Sequence, residues 1–360
     1  MIDDLGPVSS MKLADRDCLA SESVLKRNTP GLVLSDLLFF DAYGFYYTAR
    51  LVIFLKQNSN MKPDTRDLPE ASLDTLLKSA HAALDEGDVQ GGRELSHKVL
   101  KAAEASGSKR YEARALLCLA HCDRMLSRYR RAHRASQRAA QGFQVLGDTS
   151  GEVMALTTHA FVSINLGRNE EAVEAALLSV RLSEFLEKDE HSVLSYNALG
   201  VAYFWSHNFD KADQALATAI EFAERAKPPL SVFQPKINQW WTQLIRVFHD
   251  RYYEGALPSL ALLRVHRESV MRLVPPPQGG STAASANVTT EAVLLFGASL
   301  EACWHGQLDQ ALDDADALSG WAQRYGTLTW LSALEAWART EIAWARHDWP
   351  QATLQAAPQR

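Results

Sequence analysis

The chain has 360 residues, of which 47% are hydrophobic and 22% are charged, and its formal net charge is −6. This apolar content supports a large buried core and argues against a disordered chain, while the slightly acidic balance gives no reason to expect a nucleic-acid partner. The four cysteines follow no disulfide or zinc-site spacing, which indicates a reducing compartment, and we expect a cytoplasmic protein.

Residues 1–60 differ from the rest of the chain. The apolar stretches Leu32–Phe40 and Ala42–Leu55 are interrupted by Asp36, Asp41 and Arg50, so no run reaches the roughly 18 apolar residues of a membrane-spanning helix. We predict a non-repeat N-terminal extension over residues 1–60, poorly ordered or packed as a cap beside the first repeat. A weak membrane-surface role and a translation start at residue 61 are the alternatives.

Helical periodicity begins near Ser72 and continues to the end of the chain. Runs long enough for four or five helical turns alternate with short turns such as Gly87-Asp88 and Gly107-Ser108. Helices joined by such short turns must lie antiparallel to their neighbours. Thr149 and Glu152 fit a capping box at the start of one of these helices.

A small residue marks the start of each second helix at a nearly constant interval. The first three intervals are 40 residues each, and the next three are 44, 55 and 41. The markers are Gly92, Ala132, Ala172, Ala212, Ala256, Ala311 and Ala352. Because each helix pair leaves an apolar face that only another pair can cover, this period indicates a stack of repeats over residues 61–360, about six and a half in number.

The stretch Tyr196–Ala219 identifies the kind of repeat. Its large and small packing residues resemble those of a tetratricopeptide repeat (TPR), at Tyr196, Leu199, Gly200, Tyr203, Ala212, Leu216 and Ala219. The TPR resemblance implies an all-α fold, a right-handed α-solenoid of antiparallel helix pairs. Repeats of about 40 residues, longer than the usual 34, resemble the sensory and regulatory TPR regions of bacterial signalling proteins such as GGDEF diguanylate cyclases.

The later part of the chain departs from the regular pattern. Pro275-Pro276-Pro277 and the low-complexity run after it predict a loop insertion over residues 274–289. Trp330, Trp337 and Trp344 recur at helical spacing, which favours a packed seam between helices over a ligand platform. The last repeat is incomplete, so we expect either a homodimer through the C-terminal end or a truncated product.

Motifs for catalysis are absent from the sequence. It contains no phosphate-binding loop, no G-x-S-x-G elbow, no H-E-x-x-H and no GGDEF-like motif, so we expect a chain that is not an enzyme and uses no cofactor or metal. The grouping of Cys118, His121 and Cys122 offers too few ligands for a zinc site and is interpreted as core packing. The carboxylates of Asp313, Asp314 and Asp316 point apart around a helix, so they are assigned to a solvated face.

One dense basic run lies in the second repeat. Its candidate patch residues are Arg124, Arg128, Arg131 and Arg134. Such a patch suits an acidic peptide or a phosphate-bearing ligand, whereas an ordinary solvated helix face is the alternative.

The TPR resemblance also implies where a partner binds. TPR arrays build their concave face from first helices, and the matching positions here give an aromatic and aliphatic groove. Its residues are Phe161, Ile164, Asn165, Asn197, Val201, Phe204, Trp205, Trp241, Phe248 and His249. The carboxylate clamp of chaperone-binding TPRs is not matched, since Phe161 and Val201 stand at clamp positions. The alternative is that neighbouring helices of the stack cover some of these groove residues.

We therefore expect a non-catalytic TPR scaffold or sensory module of bacterial signal transduction. Its groove suits an amphipathic helix or an extended apolar segment of a protein or peptide, with no nucleic acid and no membrane as partner. One alternative is the truncated regulatory half of a diguanylate cyclase or similar enzyme whose catalytic domain lies beyond Arg360. Another is a small-molecule sensor that uses Trp205, Trp241 and His249.

Overall fold

The computed structural model describes residues 70–85, 87–186, 188–253, 260–273, 284–324 and 329–347. All of them belong to one compact unit, residues 40–360. Within these ranges the chain forms thirteen α-helices and no strand. The predicted N-terminal extension over residues 1–60 lies outside the described residues.

The helices alternate between first and second members of successive pairs. The first helices are α1 (Glu70–Asp85), α3 (Lys109–Met125), α5 (Thr149–Asn165), α7 (Asp189–Trp205), α9 (Phe233–Tyr253), α11 (Ala284–Trp304) and α13 (Thr329–Ala345). The second helices are α2 (Val89–Ser106), α4 (Tyr129–Leu146), α6 (Asn169–Ser183), α8 (Phe209–Arg225), α10 (Ala261–Met271) and α12 (Leu308–Arg324).

Packing between helices follows chain order. Consecutive helices contact each other from α1 through α10 and again from α11 through α13. Within each of these two stretches a first helix also contacts the next first helix. Within each stretch a pair is covered by its neighbours, so the core is a continuous layer along that stretch rather than one central core.

The predicted small residues lie where the paired helices approach each other. Ala132, Ala172, Ala212 and Ala311 are completely buried, and a Cβ on Gly92 would come 3.0 Å from the carbonyl oxygen of Ala80. Small side chains at these positions let the two backbones come close. The remaining two markers, Ala256 and Ala352, lie outside the described residues.

Turns between the two helices of a pair share one backbone conformation. The residue two positions before the second helix has a positive φ angle at Gly87, Ser127, Gly167 and His207, at intervals of 40 residues. Gly167 adopts this left-handed conformation without steric cost, whereas a residue with a Cβ such as Ser127 does so less readily. The period seen in the sequence is therefore also a period of the backbone.

The start of α5 differs from the predicted capping box. Asp148, not Thr149, is the N-cap residue, and its carboxylate accepts a hydrogen bond of 2.9 Å from the backbone N–H of Gly151. Asp88 caps α2 in the same way. Asp148 is a better N-cap than Thr149 because its charged carboxylate also interacts favourably with the positive end of the helix dipole.

The predicted loop over residues 274–289 is too long at its C-terminal end. Helix α11 already begins at Ala284, so the last six residues of the predicted loop are helical. The alanines in this low-complexity run favour helix, and the apolar stretch that follows anchors the helix in the stack. Residues 274–283 lie outside the described residues.

The end of the described stack is an aromatic seam. Trp337 on α13 makes edge-on contact with Phe248 on α9, with ring centroids 5.2 Å apart, and packs against Phe296 on α11 at 5.0 Å. Trp241 contacts the other side of Phe296 at 5.9 Å. Trp337 is therefore a packing residue, as its helical spacing predicts.

Candidate inner-face binding surface

The predicted groove residues lie on neighbouring first helices. Asn238 on α9 donates a hydrogen bond of 2.9 Å to the side-chain oxygen of Asn197 on α7. The guanidinium of Arg124 on α3 lies 5.9 Å from the ring centre of Phe161 on α5. Because α3, α5, α7 and α9 contact each other in turn, their inward side chains form one continuous surface, here called the inner face.

Half of the predicted groove residues are not open to a partner. Phe161, Ile164, Asn197, Phe204 and Trp241 are between 1% and 9% exposed. Three of them contact a neighbouring first helix: Phe161 contacts Arg124, Asn197 contacts Asn238, and Trp241 contacts Phe296. These five positions are therefore corrected to core positions of the stack, which was the alternative left open by the sequence.

The other five predicted residues are partly accessible. Asn165, Val201, Trp205, Phe248 and His249 are all half-buried, and we call them the inner-face strip. Its aromatic members are held in place from behind, since Phe204 contacts Trp205 edge-on with ring centroids 5.3 Å apart. A strip supported in this way is rigid before any partner arrives.

The ends of α7 and α9 fix the aromatic part of the strip. The side-chain amide of Asn169 donates a hydrogen bond of 2.7 Å to the carbonyl oxygen of Trp205. The ring of His249 lies 5.6 Å from that of Phe209 in an edge-on contact. Phe209 also lies 6.1 Å from Phe204, so Trp205 and His249 belong to one aromatic cluster.

Asn165 is the polar centre of the strip. Its side-chain oxygen is buried and has no hydrogen-bond partner within the part of the chain that the structure describes. An unsatisfied buried acceptor costs about 1–3 kcal/mol. Because Asn165 as a whole is half-buried, a small rotation of its side chain would expose this oxygen to a donor from a bound molecule. Backbone N–H groups of a peptide are donors of this kind.

The N-terminal end of the inner face is polar and already paired. Thr158 donates to the carbonyl oxygen of Met154, so the contact of 2.8 Å between Thr158 Oγ1 and His121 Nε2 uses the proton of the histidine. Arg114 on α3 forms an ion pair of 3.2 Å with Asp74 on α1. These contacts link first helices and occupy the polar side chains at this end of the inner face.

The structure divides the predicted basic patch. Arg124 is 7% exposed and faces the inner side with Phe161, whereas Arg131 and Arg134 are exposed on α4. Arg128 lies in the turn, 3.8 Å from the buried carboxylate of Asp123. The four arginines therefore do not form one patch, because Arg124 is on a first helix and the other three follow it in the turn and the second helix.

A shallow depression of about 560 Å³ lies near this turn. It is lined by Ser127, Arg128, Tyr129, Arg130, Arg131 and Leu166. Its wide opening and flexible arginine side chains do not define a specific site.

Other polar groups singled out in the sequence serve packing. Cys118 and Cys122 are buried, and the hydrogen bond with Cys118, together with burial, raises the pKa of Cys122. A protonated thiol is a poor metal ligand. Asp314 pairs with Gln310, while Asp316 accepts a hydrogen bond of 2.7 Å from Arg339, so these carboxylates do point apart.

Comparisons with known proteins identify the fold. No family model matches the chain, and no curated protein does. The apo form of RapI matches with a TM-score of 0.53 and 12% identity, over 75% of this chain and 98% of that chain. A tetratricopeptide repeat protein from Parabacteroides merdae ATCC 43184 matches with a TM-score of 0.48 and 15% identity, over 79% of this chain and 91% of that chain.

At this level of identity the likeness to RapI concerns the fold alone. Together with the alternating helix pairs, it confirms the predicted fold class: the chain is an all-α, TPR-like solenoid. Among the described residues no helix is both long enough and apolar enough to cross a membrane.

Proposed function

We propose that the chain is a non-catalytic helical-repeat module that binds a peptide segment of another protein on the inner-face strip. The observation that carries this proposal is the combination of half-buried aromatic rings with the half-buried side-chain amide of Asn165. The aromatic rings suit apolar side chains, and the amide oxygen suits a backbone N–H. An extended segment offers both groups in alternation.

The energetics favour a short segment. Because Trp205 is already half-buried, completing its burial contributes less than the roughly 1.5–3 kcal/mol of burying a fully exposed aromatic side chain. Satisfying one acceptor adds about 1 kcal/mol. The strip is supported by Phe204 and Phe209, so little ordering cost remains on this side of the complex.

The cellular setting is part of the same proposal. Repeats of about 40 residues support a sensory or scaffolding role in bacterial-type signal transduction. Among the described residues, the buried cysteines Cys118, Cys122 and Cys303 form no disulfide, which supports a reducing compartment such as the cytoplasm.

Selection from a random peptide library tests the proposal. The wild-type chain is used as bait, and the affinity of each enriched peptide is then measured for Trp205→Ala and Asn165→Ala. We expect Kd to rise at least tenfold in either variant, equivalent to about 1.4 kcal/mol. Phe185→Ala is the control, since Phe185 is 81% exposed in the turn after α6 and lies outside the strip.

Circular dichroism and melting curves of all three variants exclude unfolding as the cause of lost binding. The proposal fails if no peptide is enriched, or if every enriched peptide binds Trp205→Ala and Asn165→Ala as tightly as the wild type.

A further inference from the structure

Two histidines and a glutamate from three different helices converge on one point. Oε1 of Glu171 on α6 lies 2.8 Å from Nε2 of His133 on α4 and 3.1 Å from Nε2 of His159 on α5. The three ligand atoms all lie within 4.8 Å of one another. This cluster, the His133–His159–Glu171 triad, is separate from the inner-face strip.

Hydrogen bonding fixes the ring of His159. Ser136 Oγ lies 3.0 Å from the carbonyl oxygen of His133 and 2.9 Å from Nδ1 of His159. In the tautomer in which Ser136 donates to the carbonyl oxygen and accepts from Nδ1–H, the lone pair of Nε2 is directed at the carboxylate of Glu171.

In this tautomer two electron-rich atoms face each other at 3.1 Å, and a positive charge between them relieves their repulsion. A protonated ring would supply it, but His159 is only 8% exposed, and burial disfavours the charged form. A metal cation on the Nε2 lone pair meets the same need. A histidine ligand whose other ring nitrogen donates to a fixed acceptor is the arrangement seen around protein-bound metals.

Arg168 supplies part of the positive charge near the triad in this structure. Its Nη1 lies 3.2 Å from Nε2 of His133 and 3.3 Å from Oε2 of Glu171. The Arg168 side chain is 55% exposed, so it can move into solvent without breaking the core. It is a competitor for the triad rather than a permanent member.

We propose that the His133–His159–Glu171 triad binds a divalent transition-metal ion, with Zn²⁺ as the best fit. Imidazole nitrogens and one carboxylate suit Zn²⁺. Bonds of about 2.0–2.2 Å in tetrahedral geometry place ligand atoms about 3.3 Å apart. The two nitrogen–oxygen separations of 2.8 and 3.1 Å are close to this value, and the two Nε2 atoms lie within 4.8 Å of each other. The Glu171 side chain is 33% exposed, which leaves room for water as the fourth ligand.

The bound ion would join α4, α5 and α6, and therefore the second and third repeats. A stack contacts only its nearest neighbours, so a clamp at one junction stiffens that junction directly. Metal binding on this side would hold the first helix α5, whose last residue is Asn165 of the inner-face strip.

Isothermal titration calorimetry with Zn²⁺ tests the site. The full chain without an affinity tag is first treated with a chelator, and the metal alone is the probe. We expect one ion per chain for the wild type and a Kd at least tenfold higher for Glu171→Gln and for His159→Gln. His191→Gln is the matched control, because His191 is also a buried histidine on a first helix but contacts Ser150 instead of a carboxylate.

Three further measurements distinguish binding at the triad from binding at another group of the chain. Arg168→Gln should lower Kd several-fold, since it removes the competing cation. Co²⁺ in place of Zn²⁺ should give the visible absorption of a tetrahedral site, and Glu171→Gln, which keeps the size of the side chain, should lose it. A Cys118→Ser/Cys122→Ser variant should bind as the wild type does.

The inference is overturned if titration with Zn²⁺ shows no binding to the wild type. Equal Zn²⁺ affinity in wild type, Glu171→Gln and His159→Gln overturns it as well, since binding then occurs elsewhere.

Discussion

Gly200 shows at the scale of one residue how tightly the helix pairs pack. A Cβ at this position would come 2.5 Å from Cγ of Leu216 and 3.2 Å from the carbonyl oxygen of Ala212. Both neighbours are completely buried. We expect Gly200→Leu to lower the free energy of unfolding by about 1–3 kcal/mol or more, as measured by urea denaturation.

The matched control is a helical glycine without close neighbours. No atom lies within 4 Å of a Cβ built on Gly320, which is exposed on α12. Gly320→Ala should therefore raise the free energy of unfolding by about 0.5–1 kcal/mol, because alanine is the better helix former. We therefore expect the two substitutions to change the free energy of unfolding in opposite directions. If Gly200→Leu left the free energy of unfolding at the wild-type value, that result would contradict the close approach of α7 and α8.

The candidate sites were less predictable from sequence than this packing. Helical periodicity places Phe204 and Trp205 on neighbouring faces of α7, but it does not say how far the next first helix covers them. The structure leaves Trp205 half-buried and Phe204 7% exposed. The His133–His159–Glu171 triad carries no sequence signal at all, because its members lie 12 and 38 residues apart on three helices.

At the scale of a helix, boundaries depend on single side chains. Asp148 satisfies the backbone N–H of Gly151 at the start of α5. We expect Asp148→Ala to lower the free energy of unfolding by about 1 kcal/mol. Thr149→Ala should change it by less than about 0.5 kcal/mol, since the first residue of α5 is not the cap.

Urea denaturation of both variants distinguishes the two capping arrangements. A larger loss for Thr149→Ala than for Asp148→Ala would restore the capping box that the sequence suggests. Asp148→Asn adds a check, because asparagine caps nearly as well as aspartate and should retain most of the stability.

The helices themselves were predictable because two independent patterns agree. The 40-residue interval between small residues and the short glycine turns both define pairs, and the structure confirms pairs at Gly92, Ala132, Ala172 and Ala212. The sequence did not predict the start of α11 at Ala284, because the local composition favours a loop. The residues are helical because the apolar segment that follows packs into the stack.

At the scale of the whole molecule, neighbouring repeats are joined by buried charges. Arg93 on α2 and Asp123 on α3 form an ion pair of 2.6 Å, with side chains 14% and 6% exposed. Arg267 on α10 and Glu301 on α11 form another at 2.8 Å. Removing one partner would leave a buried charge uncompensated, so such pairs fix how one repeat meets the next.

The pH dependence of the free energy of unfolding is the sum of contributions from titratable groups in several repeats. Burial lowers the pKa of His81, His191 and His266 below the ordinary histidine value of 6.5. The folded state then binds fewer protons than the unfolded state, so this stabilisation is present above pH 6.5 and is lost as pH falls through the lowered pKa values. Burial raises the pKa of Glu301, and its protonation on acidification acts in the opposite direction.

His191→Gln isolates one histidine from this sum. His191 is 5% exposed and bonds through Nε2 to Ser150 at 2.9 Å, so protonating it in the folded state is costly. Between about pH 6.5 and pH 5 we expect the free energy of unfolding to fall less steeply for His191→Gln than for wild type, by up to about 1.4 kcal/mol per pH unit. Gly320→Ala changes no titratable group and should shift the wild-type curve without altering its slope. Parallel curves for His191→Gln and wild type, obtained from urea titrations at each pH, would mean that the cavity around His191 admits the proton at little cost.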